Sequence, residues 1–121
     1  MSITAIDRVG LAGLEGPPTN SNQPSLGTTP VLIASPTDAS GRPRWRTVLI
    51  TNLSTTARVA FTTVAKGAAA PSLTADANAT TGGSIVLPNS QLQVPVQPGL
   101  DIYVVADNAA TPTSVQQWLL S

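Results

Sequence analysis

One stretch, residues 41–53 (GRPRWRTVLITNL), limits what the rest of the chain can do. In an extended backbone, side chains alternate. From Arg44 to Asn52 that places Arg44, Arg46, Val48 and Ile50 on one face and Trp45, Thr47, Leu49 and Thr51 on the other. Both faces carry apolar groups. A strand of this kind is covered on both sides, either as the central strand of a sandwich or as one whose outer face meets another subunit.

The residues on either side of this strand fall into short apolar runs broken by turn residues. Val31 to Ala34 is a short strand ahead of it. Behind it, NLSTT (52–56) is a polar turn, and residues 58–64 return with Val59, Phe61 and Thr63 on one face, so the two strands are expected to form a hairpin. Residues 66–83 are rich in Ala and Thr; Pro71 and the following Thr and Asn predict a long loop projecting from one end of the sandwich, with a single helical turn as the alternative. Ile85–Leu87, Leu92–Val96, Ile102–Ala106 and Val115–Leu120 complete the strands. Leu92, Val94 and Val96 alternate cleanly, and Pro95 among them marks an edge or a bulge. Pro98-Gly99 suits the centre of a type II turn. In the last strand Trp118 and Leu120 share one face, expected to enter the core, and Val115, Gln117 and Leu119 share the other. The pattern predicts an all-β fold: an antiparallel β-sandwich or jelly roll of about seven to eight short strands.

Ahead of these strands, residues 10–30 (GLAGLEGPPTNSNQPSLGTTP) repeat Pro and Gly at intervals that exclude a helix and interrupt a sheet ladder. Fixing some twenty such backbones costs roughly 20–40 kcal/mol, at about 1–2 kcal/mol each, which their few apolar side chains cannot offset. With residues 1–9 as a short extended segment, the expectation is an N-terminal arm over 1–30 that lies on a partner or a neighbouring subunit, and a β-sandwich domain over 31–121.

A chain of 121 residues suits one domain. Zero net charge, with 10% of residues charged, gives no broad attraction to nucleic acid or anionic lipid. Without cysteine or histidine there is no disulfide framework, no thiol nucleophile and no Ser-His-Asp arrangement. The opening residues, MSITAIDRVG, lack the basic-then-apolar pattern of a secretion signal, and no apolar run reaches a membrane span, so a product made and used in the cytoplasm is expected. Asp101 and Asp107 flank one strand about 20 Å apart, at 3.3–3.4 Å per residue, too far for paired-carboxylate chemistry; they are expected to be solvated strand ends. Asp76 and Asn78 offer too few oxygens for calcium. Neither a metal nor a cofactor is expected. The sequons at Asn52 and Asn78 are read as coincidental.

The candidate interface residues are Arg42, Arg44, Trp45, Arg46 and Leu49. Spaced by two, the three arginines would form a compact cationic ridge beside Trp45, able to make bidentate bonds to carboxylates of a neighbouring subunit. Pairing with the chain's own Asp38 or Asp101 is the internal alternative. A nucleic-acid role needs more phosphate contacts than three arginines supply.

GRPRWRTVLITNLSTTARVAFTT, followed after a loop by SIVLPNSQLQVPVQPGLDIYVVAD, resembles a small β-domain of tailed-bacteriophage virion proteins. The shared features are an Arg-rich lead-in, a strand ending in I-x-N, a Pro-containing loop before an alternating strand, and a closing aliphatic strand. The resemblance covers residues 41–107 and leaves out the arm. It implies a non-enzymatic virion structural role on the capsid surface, as a head decoration or cement protein, with a neck, head-fibre or tail component as the alternative. The implied partners are the major capsid protein or connector proteins, and the implied assembly is a symmetric homo-oligomer, a trimer foremost. A carbohydrate- or receptor-binding module at a fibre tip is the competing reading, resting on Trp45, Tyr103 and Trp118.

Overall fold

The computed structural model describes residues 20–36, 40–73, 75 and 83–120. Among them lie nine strands and no helix: β1 (Asn20–Asn22), β2 (Ser25–Leu26), β3 (Val31–Ile33), β4 (Arg46–Asn52), β5 (Val59–Ala65), β6 (Ser84–Val86), β7 (Gln91–Val96), β8 (Leu100–Ala106) and β9 (Thr111–Leu119). They form two antiparallel sheets packed face to face. The larger runs β1-β9-β4-β7, with β2 also on β9, and the smaller runs β3-β8-β5-β6.

The order follows from one nested pairing. β1 and β2 lie end to end along β9 and act as a single interrupted strand. First then pairs with last: β1 and β2 with β9, β3 with β8, β4 with β7, β5 with β6. That is one long antiparallel ribbon. Rolling it up brings β9 against β4 and β8 against β5. A sandwich made this way is a jelly roll.

Alternation decides which side chains fill the space between the sheets. Val48 and Ile50 of β4, Val96 of β7, Val115 of β9 and Leu26 of β2 meet Ile33, Val59, Phe61, Val86, Ile102, Val104 and Ala106 of the smaller sheet. Each fully buried aliphatic contributes about 1.5–3 kcal/mol relative to exposure. Pro95 stands on β7, the outermost strand of its sheet, where the missing N–H interrupts no ladder. Gly99, at φ +82, supplies the left-handed residue that the Pro98-Gly99 turn requires.

Four expectations change. β4 and β5 do not form a hairpin but lie in different sheets. The cause is Asn52: its buried Nδ2 donates to Ala57 O (2.8 Å) and Val86 O (3.1 Å), and its Oδ1 accepts from Ser54 N (3.0 Å). Ser54 Oγ then accepts from Ala57 N (2.9 Å), and the turn carries the chain across the sandwich. Those bonds also close Asn52 to glycosylation; Asn78 lies outside the described residues.

The sheet begins before residue 31, since β1 and β2 pair with β9 and Leu26 is fully buried. Pro24 is accommodated between those two strands, where its carbonyl accepts from Thr113 N (3.2 Å). The expected segment over residues 1–9 lies outside the described residues. The 66–83 loop does not simply project: Leu73 and Ala75 pack on Ala60 and Val105, covering part of the outer face of the smaller sheet. Lastly, Trp118 is half-buried on the outer face of β9, because Val115 and Gln117 take the inner positions.

Two substitutions test this packing. Leu26→Ala should cost about 2–5 kcal/mol in urea unfolding, as a core truncation does; a loss under about 0.5 kcal/mol, the size of a surface change, would remove Leu26 from the core. At Gly83 (φ +148), an added Cβ would fall 2.7 Å from Leu73 Cδ1 and 3.0 Å from Phe61 O. Gly83→Ala should therefore destabilise by about 1–3 kcal/mol. Leu73→Ala in the same chain should relieve only the side-chain part of that clash, giving a measurable coupling between the two sites.

Candidate interaction surface

The expected arginine ridge is divided by the fold. Arg46 shares its face with Val48 and Ile50, and all three are fully buried between the sheets. Its Nε donates to Gln117 Oε1 (2.7 Å) and its Nη2 to Leu100 O (2.8 Å), while Gln117 Nε2 donates to Ala34 O (3.1 Å). Nη1 is buried with no hydrogen-bond partner among the described residues. Burial pulls the guanidinium below its ordinary value and the nearby Asp101 carboxylate pushes it back up. The group stays cationic, because arginine keeps its proton in proteins.

Arg46 is therefore a tie between β4, β9, β8 and the segment after β3, not a docking residue. Asp101, expected at a solvated strand end, is buried as well. Its Oδ1 accepts from Ser35 N and its Oδ2 from Gly67 N, both at 3.3 Å. It pins the chain after β3 and the start of the 66–83 loop to the beginning of β8. Asp107 is exposed as expected, accepting from Arg58 N (2.9 Å). Asp38 lies outside the described residues, and among those described no three acidic side chains gather to hold a metal.

The other four candidates lie as follows. Arg42 is exposed, Arg44 half-buried, and Trp45 49% exposed; Leu49 is buried on the outer face of β4. The register lines up Trp118, Thr47 and Pro95 in one row across that face, then Ser21, Gln116, Leu49 and Gln93, then Ser114, Thr51 and Gln91. None of these carries a charge. The broad face of the larger sheet is thus an amide and hydroxyl surface with Trp45 and Trp118 at one end.

Exposed aliphatics stand elsewhere, at an edge and at one end of the sandwich. Val31 (38%) and Leu32 (47%) are exposed on β3, the outermost strand of the smaller sheet. Leu53 (52%) and Leu87 (56%) flank a junction in which Asn89 N donates to Ser54 O (2.9 Å) and Asn52 N to Ser90 O (2.8 Å). Open grooves follow both seams between the sheets: about 440 Å³ beside β3, bordered by Asn22, Gln23 and Pro24, and about 400 Å³ among β5, β6 and β7. Sequence reasoning found β3 as a strand but not as an edge, since alternation does not say which strands have one neighbour. Gln117 was missed, because the opposite face of β9, with Trp118 and Leu120, was expected inside; the alternation that puts it on one face with Val115 was the available signal.

No family model, characterised protein or solved structure matches this chain.

Truncating the buried tie should be costly. Arg46→Ala leaves Gln117 Oε1 and Leu100 O without their donor and should lower stability by roughly 3 kcal/mol in denaturant titration. Gln117→Ala, which bares the guanidinium instead, should cost a similar amount, and the double variant should cost clearly less than the sum. Strict additivity would mean the two side chains act separately.

Proposed function

We propose that this chain is a non-enzymatic virion structural protein that attaches to the capsid surface as a decoration or cement protein, through its N-terminal segment and its sheet edges. The observation that carries this reading is the placement of exposed aliphatics: Val31 and Leu32 on an edge strand, Leu53 and Leu87 at one end. An unguarded apolar edge is a liability for a chain that works alone and an asset for one that assembles. The uncharged outer face of the larger sheet fits the same role, since a surface meant to be covered gains nothing from charges that must be desolvated.

Further support comes from the resemblance of residues 41–107 to virion β-domains, and from the jelly roll as an architecture used in capsids; the latter is analogy at the level of fold. The partners on this reading are the major capsid protein or connector proteins. A neck, head-fibre or tail position uses the same surfaces and differs in copy number.

A second reading has its own observation. Trp45 adjoins Leu120, whose N–H donates to Trp45 O (2.9 Å), and Trp118 lies opposite Thr47 in the neighbouring register, so the two indoles share one face diagonally. Two indoles among amide side chains suit a neutral sugar, as in a receptor- or carbohydrate-binding module. A glycan array without hits would count against it.

The test of the leading reading is quantitative mass spectrometry of purified particles from infected cells. Copies in simple proportion to the major capsid protein are expected; a handful would move the protein to the neck or tail, and none would overturn the virion role. Deleting residues 1–19, which precede β1, should leave the unfolding midpoint unchanged while particle-bound copies are lost; undiminished attachment would remove the N-terminal segment from the contact. The deletion stops there because Leu26 belongs to the core.

A further inference from the structure

We infer that β3 is a self-pairing edge: two copies of this chain join through Val31, Leu32 and Ile33, antiparallel across a two-fold axis at Leu32. Four observations converge on it. β3 has β8 on one side and, among the described residues, no strand on the other. Its Val31 and Leu32 side chains are exposed although both are aliphatic. The groove beside it is open and carries no charged lining residue, so a second copy brings no like charge into it.

The fourth observation is the sequence of the strand. Antiparallel pairing about Leu32 sets Leu32 against its copy and Val31 against Ile33 twice over. Every cross-strand pair is then aliphatic against aliphatic, with a β-branched residue facing a β-branched one on either side of the central Leu32 pair, the kind of pairing that stabilises adjacent strands. Pairing would join the smaller sheets of two copies into one continuous sheet.

The remaining edges are guarded or mismatched. β7 carries Pro95, which cannot donate to a ladder. β1 and β2 are interrupted at Gln23-Pro24 and are mostly polar. β6 (Ser-Ile-Val) exposes Ile85, but pairing about it would set the polar Ser84 against Val86 twice, so it serves as the internal control.

Pairing over three residues buries little surface, so it is weak in free solution and gains where copies are held close together on a particle. It replaces the trimer expected from the sequence with a two-fold unit. It needs no particle to be tested, so its failure and the failure of the attachment reading are separate results.

The full-length chain has no cysteine, so an introduced one reports a single contact. Directly opposed residues of an antiparallel pair have Cα atoms about 4.5–5.5 Å apart, within disulfide reach. Under a mild oxidant, Leu32→Cys should give a covalent dimer at least ten times faster than Ile85→Cys or Leu87→Cys, and in light scattering the unmodified chain should rise with concentration toward twice its 12.3 kDa mass. Leu32→Lys, which sets two cations face to face, should hold that mass at one chain while leaving the unfolding midpoint unchanged. Equal cross-linking at the three positions, a mass that stays at one chain or settles at three, or a Leu32→Lys variant that still associates would each overturn the proposal.

Discussion

Everything in this fold waits on β9. It is the last strand of the described residues, yet it lies between the first strands of the sheet, β1 and β2, and the central strand β4. Until it is in place, β4 has an open edge and β1 has no partner. The nested pairing makes this unavoidable, since the outermost turn of the rolled ribbon joins the two ends of the described chain. Contacts between distant segments require loops to be closed before they return any stability, so the architecture implies slow, cooperative folding and little value in partial structures.

The Arg46 tie stands where that late strand meets the rest. Its guanidinium joins β4 to β9 through Gln117 and to the opposite sheet through the Leu100 carbonyl. A buried cation is an expensive way to join two sheets: an aliphatic pair of similar volume would pack there with no desolvation to overcome. What the polar arrangement adds is direction. Gln117 can satisfy Arg46 and Ala34 together only when β9 is in register with β4, because a shift of one residue turns the amide to the outer face. Among inner contacts that are largely aliphatic, this pair at one end of β4, and Asn52 at the other, distinguish the correct register from its neighbours.

This separates what could be read in the sequence from what could not. Period-two alternation is a property of a single strand, so the division of β4 into two faces and the shared face of Leu92, Val94 and Val96 were legible, and Pro95 announced an edge; of those three only Val96 is fully buried, and Leu92 is 36% exposed because β7 is outermost in its sheet. Pairing is a property of two strands. Nothing local in NLSTT distinguishes a hairpin from a crossing between sheets; the difference lies in Asn52 reaching Val86 O, far along the chain. The same holds for Arg46: placed correctly on the face with Val48 and Ile50, it was read as an outward ridge by the general habit of arginine, and only the distant Gln117 and Leu100 make its burial tolerable. Trp118 was misassigned for the converse reason. Its place in an apolar last strand suggested the core, but the inner positions of β9 fall to Val115 and Gln117, which leaves the indole on the outer face.

If the chain binds a partner as proposed, its charges bear on where that contact lies. Of its few ionisable groups, Arg46 and Asp101 are enclosed, and the broad face of the larger sheet carries none in the rows around Leu49. A partner cannot then be selected by complementary charge on that face, and long-range steering is weak. Selection falls instead to features that act at contact: backbone donors and acceptors along an open edge, and aliphatic side chains whose fit depends on shape. Such contacts are individually weak and become useful in number, because effective concentration rises when many copies are held on one surface. On the reading proposed above, a small, neutral jelly roll with an apolar β3 edge is better suited to repetition on a surface than to the capture of a dilute ligand.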